Sequence, residues 1–235
     1  YVILRGNKLL NIEAITMDLD DTLWDCHPVI TKAEEKLWDW LKINYPEIIE
    51  CFDSDSVLKI RKKITSEYPN KTHDYRFIRR SVLKIMFSVS GYDSKYAEDA
   101  FDFFDKHRNK VTPYKGAIET LELLSKKYRL IALTNGNANL ETIGIKHFFY
   151  DSVYAADFGY PKPDIRIFNE AIRRSGKDKK KIFHVGDNPE TDIVGASNAG
   201  IRTVWMNSAK KEWPSDMKNP DIIISKIDEL CKIFG

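Results

Sequence analysis

Six short runs of apolar, largely β-branched residues punctuate the chain, at 12–17 (IEAITM), 130–133 (LIAL), 152–155 (SVYA), 182–185 (IFHV), 203–205 (TVW) and 222–224 (III). Runs this short, bounded by polar residues or by Gly and Pro, read as buried strands. Between most of them the apolar positions recur every three to four residues, at 117–125, 140–145, 165–174 and 189–199. Strands alternating with helices predict a parallel α/β sheet.

That rhythm fails between residues 26 and 112. The stretch holds no convincing strand and at least four helical patterns, among them the stripes Ala33, Leu37, Trp40, Leu41 and Ile78, Val82, Ile85, Met86, Val89. It ends on TPYKG at 112–116, a Pro/Gly connector of the kind found at domain boundaries. The expected fold is α/β: a Rossmann-like parallel sheet core built from residues 1–25 and 113–235, interrupted after its first strand by an all-helical insertion at 26–112. Without the insertion an ordinary single domain remains.

Composition narrows the partners. Thirty-seven Lys and Arg face 35 Asp and Glu, a net charge of +2, which argues against nucleic acid or an anionic membrane as the main partner. Hydrophobic content of 43% excludes a disordered chain. No apolar run approaches the roughly 20 residues that span a bilayer, and the opening decapeptide is broken by Arg5, Gly6, Asn7 and Lys8. Cys26, Cys51 and Cys231 are odd in number and far apart, so neither a disulfide framework nor a zinc site is expected and a reduced cytoplasm is the simplest home.

The candidate chemistry sits where strands stop. The first run ends in DLDDT, so Asp18 and Asp20, two residues apart, lean to one side as the chain leaves the sheet. Two crowded carboxylates raise one pKa or call for a hard divalent cation, although a lone DxD is also compatible with a solvated acidic turn. Three further features weigh against the turn. The run at 130–133 ends in Thr134-Asn135-Gly136, followed by a helix whose first amides could meet an anion. Lys162 is held between Pro161 and Pro163. The run at 182–185 opens into GDNPETD, which contains Asp187 and Asp192, with Asn188 as an N-cap and Pro189 at the first helical position. In a parallel sheet such ends share one edge, so Asp18, Asp20, Thr134, Lys162 and Asp187 are expected to converge. His184, inside a buried run, is expected to be a satisfied core histidine, and His73, His107 and His147 have no metal spacing. No GxSxG, GxGxxG or Walker A pattern is present.

With DLDDT, TN, KP and GDNPETD in that order, the chain resembles the haloacid dehalogenase-like hydrolase superfamily, which places a cap domain between its first two motifs. The resemblance implies a Mg²⁺-dependent phosphatase that hydrolyses small phosphate monoesters through an aspartyl-phosphate. Asp18 then matches the nucleophile, and Asp20 the general acid that later serves as base. Thr134 and Asn135 match the phosphate-binding motif, and Lys162 the cation that offsets charge. Asp18, the Asp20 backbone carbonyl and Asp187 match the Mg²⁺ ligands. Asp192 matches a residue orienting Lys162 or a metal-bound water, although an acid near a helix start also has a dipole explanation. Expected partners are a small-molecule phosphate ester, no nucleic acid and no membrane, with the chain a monomer or homodimer. Dehalogenases of the superfamily lack the second carboxylate, present here as Asp20, and its transport ATPases carry Thr there and span membranes. A phosphomutase with the same core and a non-catalytic binding protein are the rival readings.

The wording ITMDLDDTLWDCHPVI and ALTNGNA, with a Tyr/Arg-rich stretch at 75–80, is similar to the bacterial flavin mononucleotide phosphatase branch. Members of that branch also dephosphorylate 5-amino-6-(5-phospho-D-ribitylamino)uracil. The likeness implies a flavin-like or sugar phosphate substrate, with Arg76 and Arg80 reaching its anionic part and Tyr75 or Phe77 stacking on a flat ring. Trp24 and His27, just beyond the first motif, are placed to touch substrate. The alternative for these residues is a surface arginine pair and core aromatics, with Trp24 packed beneath the start of the insertion.

Overall fold

A computed structural model of the chain describes residues 11–235, so the part of the expected core at 1–10 lies outside the described residues. The six expected strands are present within two residues of their predicted ends: β1 (Ala14–Met17), β2 (Arg129–Thr134), β3 (Asp151–Tyr154), β4 (Ile182–Gly186), β5 (Arg202–Met206) and β6 (Ile222–Ile224). All pair in parallel, in the order β3-β2-β1-β4-β5-β6. Strand order therefore reverses at β1, where Met17 lies level with Ala132 of β2 and Val185 of β4. Ligands of open α/β sheets collect outside the strand C-termini at such a switch point.

The apolar runs form strands because helices cover both faces of a parallel sheet, leaving no solvated side to favour alternation. Every residue of β1 and β4 is buried. Ile131, Leu133 and Val153 pack with Ile167, Phe168 and Ala171 of α9 (Ile165–Ser175) and with Ala196 and Ala199 of α10 (Gly195–Ala199). Each large side chain removed from water here stabilises by about 1.5–3 kcal/mol. The helices α6 (Ala117–Ser125), α8 (Ala155–Phe158) and α11 (Glu229–Phe234) belong to the same α/β unit, and α7 (Leu140–Ile143) lies between β2 and β3 in the chain.

The chain divides into two compact units. The first takes the residues up to Asp25, then Thr112–Gly136 and Gly144–Gly235; the second takes Cys26–Val111 and Asn137–Ile143. In the second, α1 (Cys26–Asn44), α2 (Pro46–Cys51), α3 (Ser54–Glu67), α4 (Tyr75–Val89) and α5 (Ala97–Arg108) enclose a core of Leu37, Leu41, Ile48, Ile64, Ile78, Met86, Phe87, Phe101 and Phe104. The stripe residues Ala33, Leu37 and Leu41 are buried as the periodicity predicts, whereas Val89 is 64% exposed at the end of α4.

Two local features depart from the sequence pattern. The helix expected at 140–145 is one turn, Leu140–Ile143, and its segment groups with the helical unit rather than with the sheet. Side chains explain this: Arg76 Nη2 donates to the Asn137 carbonyl at 3.3 Å, Arg108 Nε to Asn137 Oδ1 at 2.9 Å, and Asn139 N to Asn109 Oδ1 at 2.7 Å. The amides of Glu141 and Thr142 are both capped by Asn139 Oδ1, so they do not form the anion site expected after Thr134. The helix expected at 189–199 is divided into a π-helical turn, Pro189–Val194, and α10, with the Asn188 carbonyl accepting from both Asp192 N and Ile193 N. Among the described residues no helix is long and apolar enough to cross a membrane.

Candidate active site

Three neighbouring strands deliver the site. Asp18 follows β1 directly and is tied to β4 by its amide, which donates to the Val185 carbonyl at 2.9 Å. Thr134 closes β2, and Asp187 follows β4. Lys162 comes from the loop before α9, and its position is set by Asn135: the carboxamide oxygen accepts from Lys162 N at 2.7 Å and the carboxamide nitrogen donates to the Lys162 carbonyl at 2.9 Å. Both ends of the Asn135 side chain are engaged with the Lys162 backbone, so the side chain of this expected phosphate-motif residue acts on the site through the lysine.

The Lys162 ammonium is 2.8 Å from Asp18 Oδ1 and 2.6 Å from Asp192 Oδ1, with all three residues buried. Asp192 is fully engaged beyond that. His184 Nε2 lies 3.2 Å from the same Oδ1, the Asn188 amide donates to Oδ2 at 3.0 Å, and His184 Nδ1 is 2.8 Å from the Thr16 hydroxyl. His184 is thus the satisfied core histidine expected, and it braces the acid that braces the lysine. Gly186 makes this approach possible, since a Cβ there would lie 2.3 Å from Asp192 Cγ. The sequence shows the glycine but not the carboxylate it faces.

The acidic groups of the cluster outnumber its one cation, and burial settles which of them ionise. Burial pushes Asp18 up to about 8 against the pull of Lys162, with Asp192 and Asp187 adding to the rise. Burial likewise pushes Asp187 up to about 7, helped by Asp192 and Asp21. Burial works against Lys162's charge, but Asp18 and Asp192 outweigh it and hold its pKa above the ordinary lysine value. For Asp192, burial is outweighed by Lys162 and by the His184 contact, so its carboxyl stays below the usual range. His184 is held neutral by burial, its pKa lowered. Three carboxylates thus face one ammonium.

Carboxylate oxygens of Asp18, Asp187 and Asp192 lie within 4.8 Å of one another. Because both Asp192 oxygens already accept from protein donors, Asp18 and Asp187 are the pair left to share a cation. Hard oxygen donors with surplus negative charge fit a small divalent ion. Two residues not assigned a role from the sequence hold this edge: Thr22 Oγ1 donates to Asp187 Oδ1 at 3.3 Å, and Trp205 Nε1 to the Asp187 carbonyl at 2.7 Å. Thr22 belongs to the DxDxT pattern, which was its signal; Trp205, inside an apolar run, offered none.

Thr134 is buried and its hydroxyl oxygen accepts from the Gly136 amide at 2.9 Å, which leaves the hydroxyl proton available to an incoming oxygen anion. Asp20 is half-buried beside it. Trp24, expected to touch substrate, is fully buried, and its Nε1 donates to Asp20 Oδ1 at 2.8 Å. The remaining expected contacts belong to the helical unit. Arg80 donates to Glu98 at 2.8 Å and lies over the Phe101 ring, Arg76 holds Asn137 beside Asp105, and Phe77 packs on Tyr68. These are internal contacts of that unit, made by the two arginines expected to reach an anionic substrate. His27 is exposed in the first turn of α1.

Comparison with known proteins places this arrangement. Residues 12–200 match the family model for haloacid dehalogenase-like hydrolases. The chain is 29% identical to 5-amino-6-(5-phospho-D-ribitylamino)uracil phosphatase YigB of Escherichia coli (strain K12), over 95% of this chain and 96% of that protein. It is 27% identical to a glyceraldehyde 3-phosphate phosphatase of Methanothermobacter thermautotrophicus, over 94% and 98% of the two chains. A crystal structure named as 2-haloacid dehalogenase from Pseudomonas syringae pv. Tomato DC3000 superposes with a TM-score of 0.90 at 37% identity, covering 94% of this chain and 97% of that one.

Proposed function

Since the chain belongs to the haloacid dehalogenase-like hydrolases, we propose that Asp18 is the nucleophile of a two-step phosphate monoester hydrolysis. The chain is a phosphoric monoester hydrolase acting on small phosphates. The observation that most supports Asp18 as its nucleophile is the buried Lys162 ammonium, 2.8 Å from the Asp18 oxygen on the sheet edge where Thr134, Asp20 and Asp187 also lie.

In the first step an Asp18 oxygen attacks phosphorus, the bond from phosphorus to the leaving oxygen breaks, and Asp20 gives that oxygen its proton. In the second, water attacks the phosphorus of the aspartyl-phosphate, Asp20 takes its proton, and inorganic phosphate leaves with Asp18 regenerated. Thr134 donates to a phosphoryl oxygen, and Lys162 offsets charge on nucleophile and phosphate, the electrostatic work that dominates phosphoryl transfer. Mg²⁺ held by Asp18, Asp187 and the Asp20 carbonyl would ionise the two raised carboxylates and neutralise phosphate charge. Asp192 and Asn135 keep Lys162 in place. The helical unit serves as the cap that selects the leaving group, and the substrate is a riboflavin-precursor, flavin or sugar phosphate, a reading supported by the similarity to the YigB phosphatase.

Asp18→Asn should lose at least about a thousandfold in turnover with folding retained by circular dichroism. It is assayed by phosphate release from a panel of monoesters that includes flavin mononucleotide, with Mg²⁺ and with EDTA. Full activity in that variant overturns the assignment. Phosphate release from substrate alone also separates hydrolysis from phosphomutase chemistry.

The 37% identical structure named as a 2-haloacid dehalogenase favours a second reading, attack of Asp18 on carbon with halide release. Asp20 weighs against it, because displacing halide leaves no ester oxygen to protonate. Halide release from 2-chloropropionate, with no phosphate release from any ester, would establish that reading.

A further inference from the structure

Asp187 is tied to its surroundings at three points. Thr22 Oγ1 donates to its side chain at 3.3 Å, Trp205 Nε1 donates to its carbonyl at 2.7 Å, and the following amide, that of Asn188, donates to Asp192 Oδ2 at 3.0 Å. The Asp187 carbonyl and the Asn188 amide belong to one planar peptide unit. That unit is therefore pinned at both ends, by an indole of β5 and by the carboxylate that braces Lys162. The position matters because the register of β4 with β5 ends at Gly186 opposite Trp205. Asp187 is the first residue past that ladder, and its carbonyl takes a hydrogen from the indole in place of a strand amide. The donor itself is rigid: Trp205 is 2% exposed, lies level with Gly186 and Ile223 of the flanking strands, and meets the Trp213 ring edge to face with centres 4.9 Å apart.

We propose that Trp205 is a positioning residue for the metal: by fixing the Asp187–Asn188 peptide it holds the Asp187 carboxyl where it can share a cation with Asp18, and so sets the affinity for Mg²⁺. Groups that orient metal ligands without touching the ion account for roughly 10–100-fold in affinity. Without the indole the carbonyl loses its donor, and the peptide can turn toward another. Such a turn moves the Asp187 carboxyl and loosens the Asn188 amide on Asp192 together, because both are carried by the same plane. The inference rests on Asp187 being a metal ligand in the proposed hydrolysis.

The test is Trp205→Phe, which keeps a ring against Trp213 and removes the N–H, beside Trp213→Phe, which removes an N–H directed at the Met217 carbonyl at 3.2 Å. The Mg²⁺ dissociation constant is measured without substrate, from the melting temperature at pH 8 across a Mg²⁺ series and from calorimetric titration. Trp205→Phe should weaken it about tenfold and Trp213→Phe less than about twofold. Phosphate release then separates positioning from general damage. In Trp205→Phe the Mg²⁺ concentration that half-saturates turnover should rise by the same factor, while kcat at saturating Mg²⁺ returns to within about twofold of the unaltered chain. An unchanged constant in a folded Trp205→Phe, an equal loss in both variants, or a turnover defect that excess Mg²⁺ does not restore overturns the proposal. Where Trp205→Phe does not fold, the unaltered chain gives the answer: in a proton–nitrogen spectrum Mg²⁺ should shift the Trp205 indole signal more than those of Trp38, Trp40 and Trp213, and an unshifted signal overturns the proposal. An unaltered chain whose melting and turnover ignore Mg²⁺ sinks the metal reading itself, whereas a normal response there with an unmoved constant in Trp205→Phe removes only the role of Trp205.

Discussion

Charged residues are used in opposite ways by the two units. On the surface of the helical unit, arginines and glutamates form matched, part-exposed pairs. Arg79 makes a two-pronged contact with Glu34, at 2.5 and 3.1 Å, and lies over Phe104; Arg80 pairs with Glu98 and lies over Phe101. At the strand ends of the α/β unit acidic residues are buried and outnumber their partner, with Asp18, Asp187 and Asp192 round the single ammonium of Lys162. Pairs of the first kind bind helices to one another and contribute little individually. With three carboxyl groups round one ammonium, protonation relieves the surplus, which is the meaning of the raised Asp18 and Asp187, until a cation takes the place of the protons. The imbalance, more than the number of charges, marks the region where chemistry occurs.

The sharpest way to break that contrast is Lys162→Met. Removing the only ammonium of the cluster leaves buried carboxylates uncompensated, so a loss of about 3 kcal/mol in denaturant unfolding is expected, together with loss of turnover. An effect no larger than that of a surface pair would mean that burial does not distinguish the two regions.

A second prediction turns on the sign of the linkage. Asp18 and Asp187 have folded pKa values raised to about 8 and about 7, above the ordinary carboxylate range. Groups raised on folding add stability that is fully present below their unfolded pKa and is lost as pH rises through the folded values. In EDTA the melting temperature should therefore fall between about pH 5 and pH 8. Mg²⁺, which favours the ionised carboxylates, should raise it by about 3–6 °C at pH 8 and far less at pH 5, as one to two kcal/mol does in a chain of this size. Differential scanning fluorimetry at the two pH values checks this, and an equal Mg²⁺ effect at both would sever the metal from the raised carboxylates.

The smallest effect belongs to the helical unit. Glu98→Gln removes the partner of Arg80 on a half-exposed surface, and unfolding should change by less than about 1 kcal/mol with the EDTA melting profile unaltered.

Much of the α/β unit is legible in the chain because buried parallel strands cannot alternate: they must be short apolar runs, and the residues at which they stop stand out by polarity. Asp18, Thr134 and Asp187 were found that way, and Lys162 by its two prolines. What the chain does not show has a different cause. The run Thr134-Asn135 does not show that a carboxamide has a donor and an acceptor and that the Lys162 backbone, 27 residues away, satisfies both ends of the Asn135 side chain. The segment at 137–143 follows a strand in sequence, yet its polar groups are claimed by Arg76, Arg108 and Asn109. Arg76 and Arg80 have helical spacing, but spacing does not reveal that Glu98 and Phe101 stand within reach.

The sequence alone determined where the strands form, that helices fill the stretch between the first two of them, and which chemical groups stand at the strand ends, because periodicity and polarity are local properties of the chain. The tertiary structure alone decided how those groups are employed: that Asn135 holds a lysine, that Trp24 holds an acid, and that three carboxylates share one ammonium. Hydrogen-bond partners and charge balance depend on distances between residues far apart in the chain, and those distances exist only once the sheet has brought the strand ends together.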